Sequence, residues 1–161
     1  MDISEIEDEK EIPALETHIR RMLNNNPNIW MLEQRARLSD LAVSLYTYNV
    51  GLDPYSAMEI DATISKMDLS NAKKALELSL RNLYSSLEQI RENQAILEIN
   101  MEKLLDNLRL AELRLEVGMA TPLEVQKVKS AVEGLEKQIL QLELQYEESI
   151  MIYEKPWVIG N

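Results

Sequence analysis

Cysteine is absent from this chain of 161 residues, and its absence excludes several kinds of site at once. Without thiols there is no disulfide framework, no thiolate metal site and no cysteine nucleophile. Because proteins of the cell envelope and of the cytosol both occur without cysteine, the absence assigns no compartment.

Glycine and aromatic residues are also scarce, with 4 Gly, 2 Trp and no Phe. Leu and Glu dominate the later half of the chain instead. That bias, combined with an apolar repeat of about 3.5 residues, is typical of long helices and coiled coils. The composition therefore favours an all-α protein.

Basic residues are outnumbered, since 17 Lys and Arg face 28 Asp and Glu and leave a formal charge of −11. A chain with this balance has little with which to neutralise phosphates, so we expect no nucleic-acid partner. Acids crowd into residues 1–12, which we predict to be a disordered tail. No apolar stretch approaches the ~18 residues of a membrane-spanning helix, and the N-terminus lacks the pattern of a signal peptide.

Residues with catalytic potential are sparse. His18 is the only histidine and stands among charged neighbours, so we predict a surface side chain. The sequence contains no Glu-x-x-His ligand pair, no glycine-rich phosphate loop and no nucleophile elbow. We therefore expect no catalytic residues, no metal, no cofactor and no enzymatic activity.

Glycine, proline and asparagine divide the chain into four predicted helices. The predicted helices cover about 13–25, 27–48, 55–117 and 122–155, and residues 156–161 form a C-terminal tail. Asn26 and Pro27 separate the first two helices, with the asparagine as N-cap of the second. The last helix contains Gly134, which either allows a close approach between helices or is simply a tolerated, exposed residue.

Apolar residues along the long helix advance in alternating steps of three and four, the heptad spacing of a coiled coil. The row, here called the heptad seam, comprises Leu80, Leu83, Leu87, Ile90, Gln94, Leu97, Met101, Leu104, Leu108, Ala111 and Leu115. The last helix has its own seam at Val125, Val128, Val132, Leu135, Ile139, Leu142, Tyr146 and Tyr153. The step from Leu76 to Leu80 is four where three is due, a slip that locally changes the supercoil.

The predicted helix lengths constrain the architecture. The second and fourth helices number about 22 and 34 residues against about 63 for the long one. Each folds back from its own turn, so the two should cover the long helix end to end. The sequence therefore predicts an elongated antiparallel coiled-coil hairpin, a rod formed by a single domain over 13–155. Apolar positions left uncovered on a single hairpin favour self-association.

The stretch RLEVGMATPLEV, residues 114–125, joins the two longest helices. Gly118 stands where a helix needs a left-handed residue to end. Thr121 and Glu124 form a capping box, and Pro122 takes the first helical position. Residues 118–120 are thus a tight link between antiparallel helices, and this explanation requires no function.

The same stretch also resembles the Arg-x-x-Val-Gly-x-x-Thr-x-x-Asp-Val signature of the TolC-like outer-membrane efflux proteins. The residues that match are Arg114, Val117, Gly118, Ala120, Thr121 and Val125. Glu124 stands in place of the usual Asp, and Leu115 in place of a common aromatic residue. The order and lengths of the helices extend the resemblance over most of residues 13–155.

In that family the helices form a periplasmic tube, and its far tip meets the hairpin tips of a periplasmic adaptor (membrane fusion) protein. The resemblance therefore implies an efflux component of the cell envelope that works by self-assembly and docking. It implies a docking tip composed of Arg114, Val117, Gly118, Met119, Ala120 and Thr121.

Two departures from the family pattern leave alternatives open. Family members usually contain two hairpin repeats and carry β-strands before the long helix, where this chain has only YNVGLDPYSAM. Such a short segment cannot supply the strands of a barrel. The chain would then be half of a larger protein, an excised helical part or a relative without strands. A coiled-coil scaffold with no transport role is the competing interpretation, and an adaptor-like hairpin is a third.

Overall fold

The computed structural model describes residues 12–47 and 54–156. This part of the chain consists of four helices and contains no strand: α1 (Leu15–Asn25), α2 (Pro27–Ser44), α3 (Tyr55–Glu116) and α4 (Pro122–Glu154). The prediction of an all-α protein with one very long helix is confirmed. The acidic segment other than Ile12, the turn around Gly51 and the C-terminal tail other than Pro156 lie outside the described residues.

Internal contacts divide the chain into two compact units, Met1–Asn82 and Leu83–Asn161. The single domain over 13–155 and the end-to-end coverage of α3 stay predictions. Within the described residues, no helix has the length and apolarity needed to cross a membrane.

In the first unit, α1 packs against α2 across a short link at Asn26. The buried side chain of Asn26 accepts hydrogen bonds from the backbone N–H groups of Asn28 at 2.9 Å and Ile29 at 3.1 Å. Pro27 occupies the first helical position, where its missing N–H is not needed. The predicted N-cap of the second helix is therefore confirmed.

His18 is buried, so the prediction of a surface histidine is wrong. Its side chain is 1% exposed, and Ile19 and Met22 beside it are also buried. The cause is helical geometry, because His18 stands three residues after Leu15 and four before Met22 and so shares the apolar face of α1. The charged Glu16 and Arg20 near it in sequence are exposed.

Helices α2 and α3 contact each other in the first unit through polar pairs. Lys66 Nζ lies 2.6 Å from Asp40 Oδ1, and Lys73 Nζ lies 2.7 Å from Glu33 Oε1. Because the residue number falls along α2 as it rises along α3, the two helices run antiparallel there. The hydrogen bond from the Lys73 ammonium lowers the pKa of the Glu33 carboxyl, and desolvation opposes that shift only in part.

The second helix ends at Ser44, before the predicted end near residue 48. The backbone N–H of Tyr46 donates to the Val43 carbonyl at 3.3 Å, a tightened last turn. The Tyr46 ring then meets the Tyr55 ring edge-on, with the ring centroids 5.4 Å apart. A helix continued through this region would hold residues nine positions apart at about 13 Å, so the chain must leave the helix to make this contact.

Arg81 of α3 forms an ion pair with α1 and directly follows the irregular heptad step from Leu76 to Leu80. Its guanidinium lies 2.8 Å from a carboxylate oxygen of Glu77, one turn earlier, and 2.8 Å from one of Glu16 on α1. The two carboxylates raise the pKa of Arg81, which keeps it charged. Leu80, one residue before it, is fully buried.

In the second unit, the heptad seam is the shielded face of α3. Leu87 and Ile90 are buried, and the remaining seam residues from Leu83 to Leu115 are half-buried. On α4, Val125, Val132 and Tyr153 are buried and the other seam residues are half-buried. The periodicity thus identified the shielded face of both helices.

Two contacts fix the relative direction of the helices in this unit. Lys129 Nζ lies 3.2 Å from Glu112 Oε1, and the rings of Tyr84 and Tyr153 have centroids 6.1 Å apart. Since high numbers on one helix meet low numbers on the other, α3 and α4 run antiparallel on either side of the turn at 117–121.

Candidate functional site at the turn between α3 and α4

The end of α3 is closed by two backbone hydrogen bonds around Gly118. The N–H of Gly118 donates to the Leu115 carbonyl at 3.0 Å, and the N–H of Met119 donates to the Arg114 carbonyl at 2.7 Å. This pair is the Schellman arrangement, which satisfies the last carbonyls of a helix. The left-handed conformation predicted for Gly118 is confirmed by its φ of 76°.

The start of α4 is closed by the predicted capping box. Thr121 Oγ1 accepts from the backbone N–H of Glu124 at 3.3 Å, and the Thr121 N–H donates to Glu124 Oε2 at 2.6 Å. The Thr121 hydroxyl also donates to the same carboxylate oxygen at 3.0 Å. With Pro122 at the first helical position, the start of α4 is as firmly defined as the end of α3.

These hydrogen bonds also act on the charge of Glu124. The hydrogen bond donated by the backbone N–H of Thr121 lowers the pKa of the Glu124 carboxyl the most, and the hydrogen bond from the Thr121 hydroxyl lowers it further. The carboxylate is therefore held ionised beside the N-terminus of α4, where negative charge is favoured.

Apolar side chains surround this closed turn and are exposed. Met119 at its apex is 79% exposed and Val117 is 69% exposed. Leu113 on α3 and Leu123 on α4 flank them at 53% and 64% exposed. We call these four residues the apolar tip. Helix capping requires none of them, since the hydrogen bonds of the turn come from backbone groups, Thr121 and Glu124.

Not all of the six predicted docking residues expose a side chain to solvent. Arg114, Val117, Met119 and Thr121 are exposed, and Ala120 is half-buried. Gly118 offers open space, since an added Cβ would meet no atom within 4 Å. The sequence reading missed Leu113 and Leu123, although each stands two residues from a seam position and so points away from the seam.

Metal binding has no visible basis in the described residues. Within residues 12–47 and 54–156, no group of three or more histidine or acidic side chains is placed to hold a metal ion. What the turn offers is an exposed apolar surface on a firmly held backbone.

Comparison of the chain with protein-family models, with curated proteins and with solved structures finds no match. The resemblance to TolC-like efflux proteins stays a prediction from the motif at 114–125.

Proposed function

We propose that the chain is a TolC-like helical component of an efflux assembly, and that the turn between α3 and α4 docks a periplasmic adaptor protein. In this proposal the protein works in the cell envelope by binding and assembly, and carries out no catalytic step. The antiparallel pairing of α3 and α4 is a coiled-coil hairpin whose role is to hold the turn at its end.

The observation that carries the proposal is the exposure of Met119 at the apex of a turn capped on both sides. Exposure of apolar groups to water is unfavourable and burial against a partner relieves it, so a cluster of such groups marks a binding surface. A backbone already fixed by its caps has little conformational entropy left to lose on binding. The match of the surrounding residues to the efflux signature supplies the class of partner.

Gly118 contributes to docking in a second way. The open space above it lets a partner backbone approach the turn closely, because no side chain stands in between. Arg114, exposed one turn earlier, offers guanidinium donors to carbonyl or carboxylate groups of the partner.

The test is capture of an adaptor α-hairpin by the full chain, comparing the wild type with the Met119→Glu variant. The substitution places a charge in the apolar tip and removes no hydrogen bond of the caps, so the fold is retained while binding falls at least about tenfold. Gln126→Glu, which adds the same charge one turn into α4, is the matched control and should bind like the wild type.

Equal binding by Met119→Glu and the wild type would contradict a docking role for the tip. Absence of binding by the wild type to adaptor hairpins would favour the scaffold interpretation, in which substitutions in the turn change stability but no partner. Circular dichroism melting of each variant separates loss of binding from loss of fold.

A further inference from the structure

The two sides of the α3/α4 pair in the second unit differ sharply in charge. A side here means the exposed residues that flank the two seams on one edge of the pair. A shallow groove lined by Asn93, Ile96, Gln138, Gln141 and Gln145 marks one edge. The ion pair between Glu112 and Lys129 marks the other.

The first edge, here called the amide side, carries no acid over its central part, and the acids at the same spacing on α4 are Glu124 and Glu148 beyond it. Its exposed residues on α3 include Asn93, Ile96, Asn100, Asn107 and Leu110, which advance at heptad spacing. Its exposed residues on α4 are Ala131, Gly134, Gln138, Gln141 and Gln145, at the same spacing. The structure describes all of residues 89–114 and 127–145. Within these ranges, the only charged residues at this heptad spacing are the basic Lys103, Arg114 and Lys127.

The opposite edge, here called the acidic side, is dense in glutamate. On α3 it presents Glu98, Glu102, Leu105 and Glu112. On α4 it presents Glu133, Glu136, Leu140, Glu143 and Glu147. Arg91, Arg109 and Lys129 offset only part of this charge.

An acid-free central part is unexpected in a chain whose formal charge is −11. A helix face in contact with water normally intersperses charges of both signs, whereas the central part of an interface is depleted of charge. The amide side is depleted of charge, as the central part of an interface is. Gly134 lies in its middle, and an added Cβ there would meet no atom within 4 Å. The chain's own packing therefore gives no reason for this glycine, which in a helix costs about 1 kcal/mol relative to alanine.

We propose that the amide side packs against the acidic side of a second copy of this chain. Both sides are present on every copy, and they are complementary. The basic Lys103 and Lys127 and the amide N–H groups of the glutamines meet the carboxylates of the neighbour. Each side also offers two exposed aliphatic side chains, Ile96 and Leu110 on the amide side and Leu105 and Leu140 on the acidic side.

The charge pattern also selects the geometry of association. Two acidic sides repel each other, so the contact joins unlike surfaces and the pair keeps one free amide side and one free acidic side. Such a heterologous contact builds a ring or a filament. The glycine at 134 lets the helix of the neighbour approach closely at the centre of the contact. This inference does not depend on what the tip between α3 and α4 binds.

Cross-linking between single cysteines tests the contact, because the natural chain contains none. Gln141→Cys places a thiol on the amide side, and Glu136→Cys places one on the acidic side. With a flexible bis-maleimide, a mixture of the two variants should give cross-linked dimers, and neither variant alone should. Cross-linking of Gln141→Cys with itself would overturn the heterologous contact in favour of a symmetric one. Absence of cross-links in the mixture, with a monomer in sedimentation, would overturn the proposal altogether.

A charge substitution supplies the second measurement. Gln141→Glu, nearly isosteric, places an acid on the amide side and should weaken self-association at least about tenfold in sedimentation equilibrium. Gln126→Glu makes the same chemical change on the acidic side of α4 and should change the dissociation constant by less than about threefold. Equal effects of the two substitutions would count against the proposal.

Discussion

The guanidinium of Arg21 lies 3.1 Å from Nδ1 of His18, whose ring is almost completely buried. A guanidinium can only donate hydrogen bonds, so Nδ1 must be the acceptor and the ring proton resides on Nε2. The ring is a packed side chain on the apolar face of α1, beside the buried Ile19 and Met22.

Truncation of His18 should destabilise the first unit. His18→Ala removes a buried ring and leaves a cavity, and we expect the free energy of unfolding to fall by about 2 kcal/mol. Urea denaturation followed by circular dichroism gives this value. Thr17→Ala, at the neighbouring exposed position, is the control and should change the stability by less than about 0.5 kcal/mol. Equal stability of the two variants would show that burial of His18 contributes nothing.

The position of His18 shows how periodicity outweighs local composition. Its sequence neighbours are charged, and this favoured a surface position. The spacing from Leu15 and to Met22 placed it on the apolar face, and that is where it lies. Helical phase was the better predictor because a side chain's direction is fixed by its position in the turn, not by the polarity of the residues next to it.

Helix α2 shows where periodicity fails. Trp30, Leu38 and Leu41 are three of its bulky apolar residues, and all three are more than half exposed. The residues it buries are Ile29 and the small Ala36. A helix with apolar residues on every side has no distinct amphipathic phase, so the sequence does not indicate which side faces the neighbouring helix.

Leucine-to-alanine substitutions along α3 should cost much more stability in the heptad seam than in the apolar tip. Leu87 is fully buried in the heptad seam, so Leu87→Ala should lower the free energy of unfolding by about 3 kcal/mol. Leu113 belongs to the apolar tip and is more than half exposed, so Leu113→Ala should cost less than about 1 kcal/mol. Urea titrations of the two variants give the comparison. A cost at Leu113 as large as that at Leu87 would contradict the description of the tip as free surface.

The capping box at Thr121 should make stability depend on pH. The pKa of Glu124 is lower in the folded chain than in the unfolded chain, because Thr121 donates to its carboxylate. Its contribution is therefore complete above the unfolded value, about 4.3 for glutamate, and is lost as the pH falls through the folded value. We expect the difference in melting temperature between the wild type and Glu124→Gln to be largest near neutral pH and to diminish as the pH falls below the unfolded value of about 4.3.

The control for this measurement is Glu133→Gln, which changes an exposed glutamate of α4 outside the capping box. Its melting temperature should follow that of the wild type across the same pH range. A difference between Glu124→Gln and the wild type that persists undiminished at low pH would show that the cap does not depend on the ionised carboxylate.

The turn at 114–125 was predictable because its signals are local. Gly118, Thr121, Pro122 and Glu124 each act within four residues, and the structure places all four as the caps require. The amide side was not predictable in the same way. It depends on which positions flank the seams on two different helices, and this becomes visible only when α3 and α4 are paired.

The two described glycines offer a direct comparison, since both have open space where a Cβ would be. At Gly118 the φ of 76° is unfavourable for any side chain, so Gly118→Ala should lower the free energy of unfolding by about 1 kcal/mol or more. At Gly134 the backbone is regular helix, so Gly134→Ala should raise it by up to about 1 kcal/mol. Urea denaturation at a concentration where the chain is monomeric measures both changes. Opposite signs are expected because one residue is required by its backbone conformation and the other is not. Destabilisation by Gly134→Ala in the monomer would mean that an intrachain contact, rather than a second copy, explains this glycine.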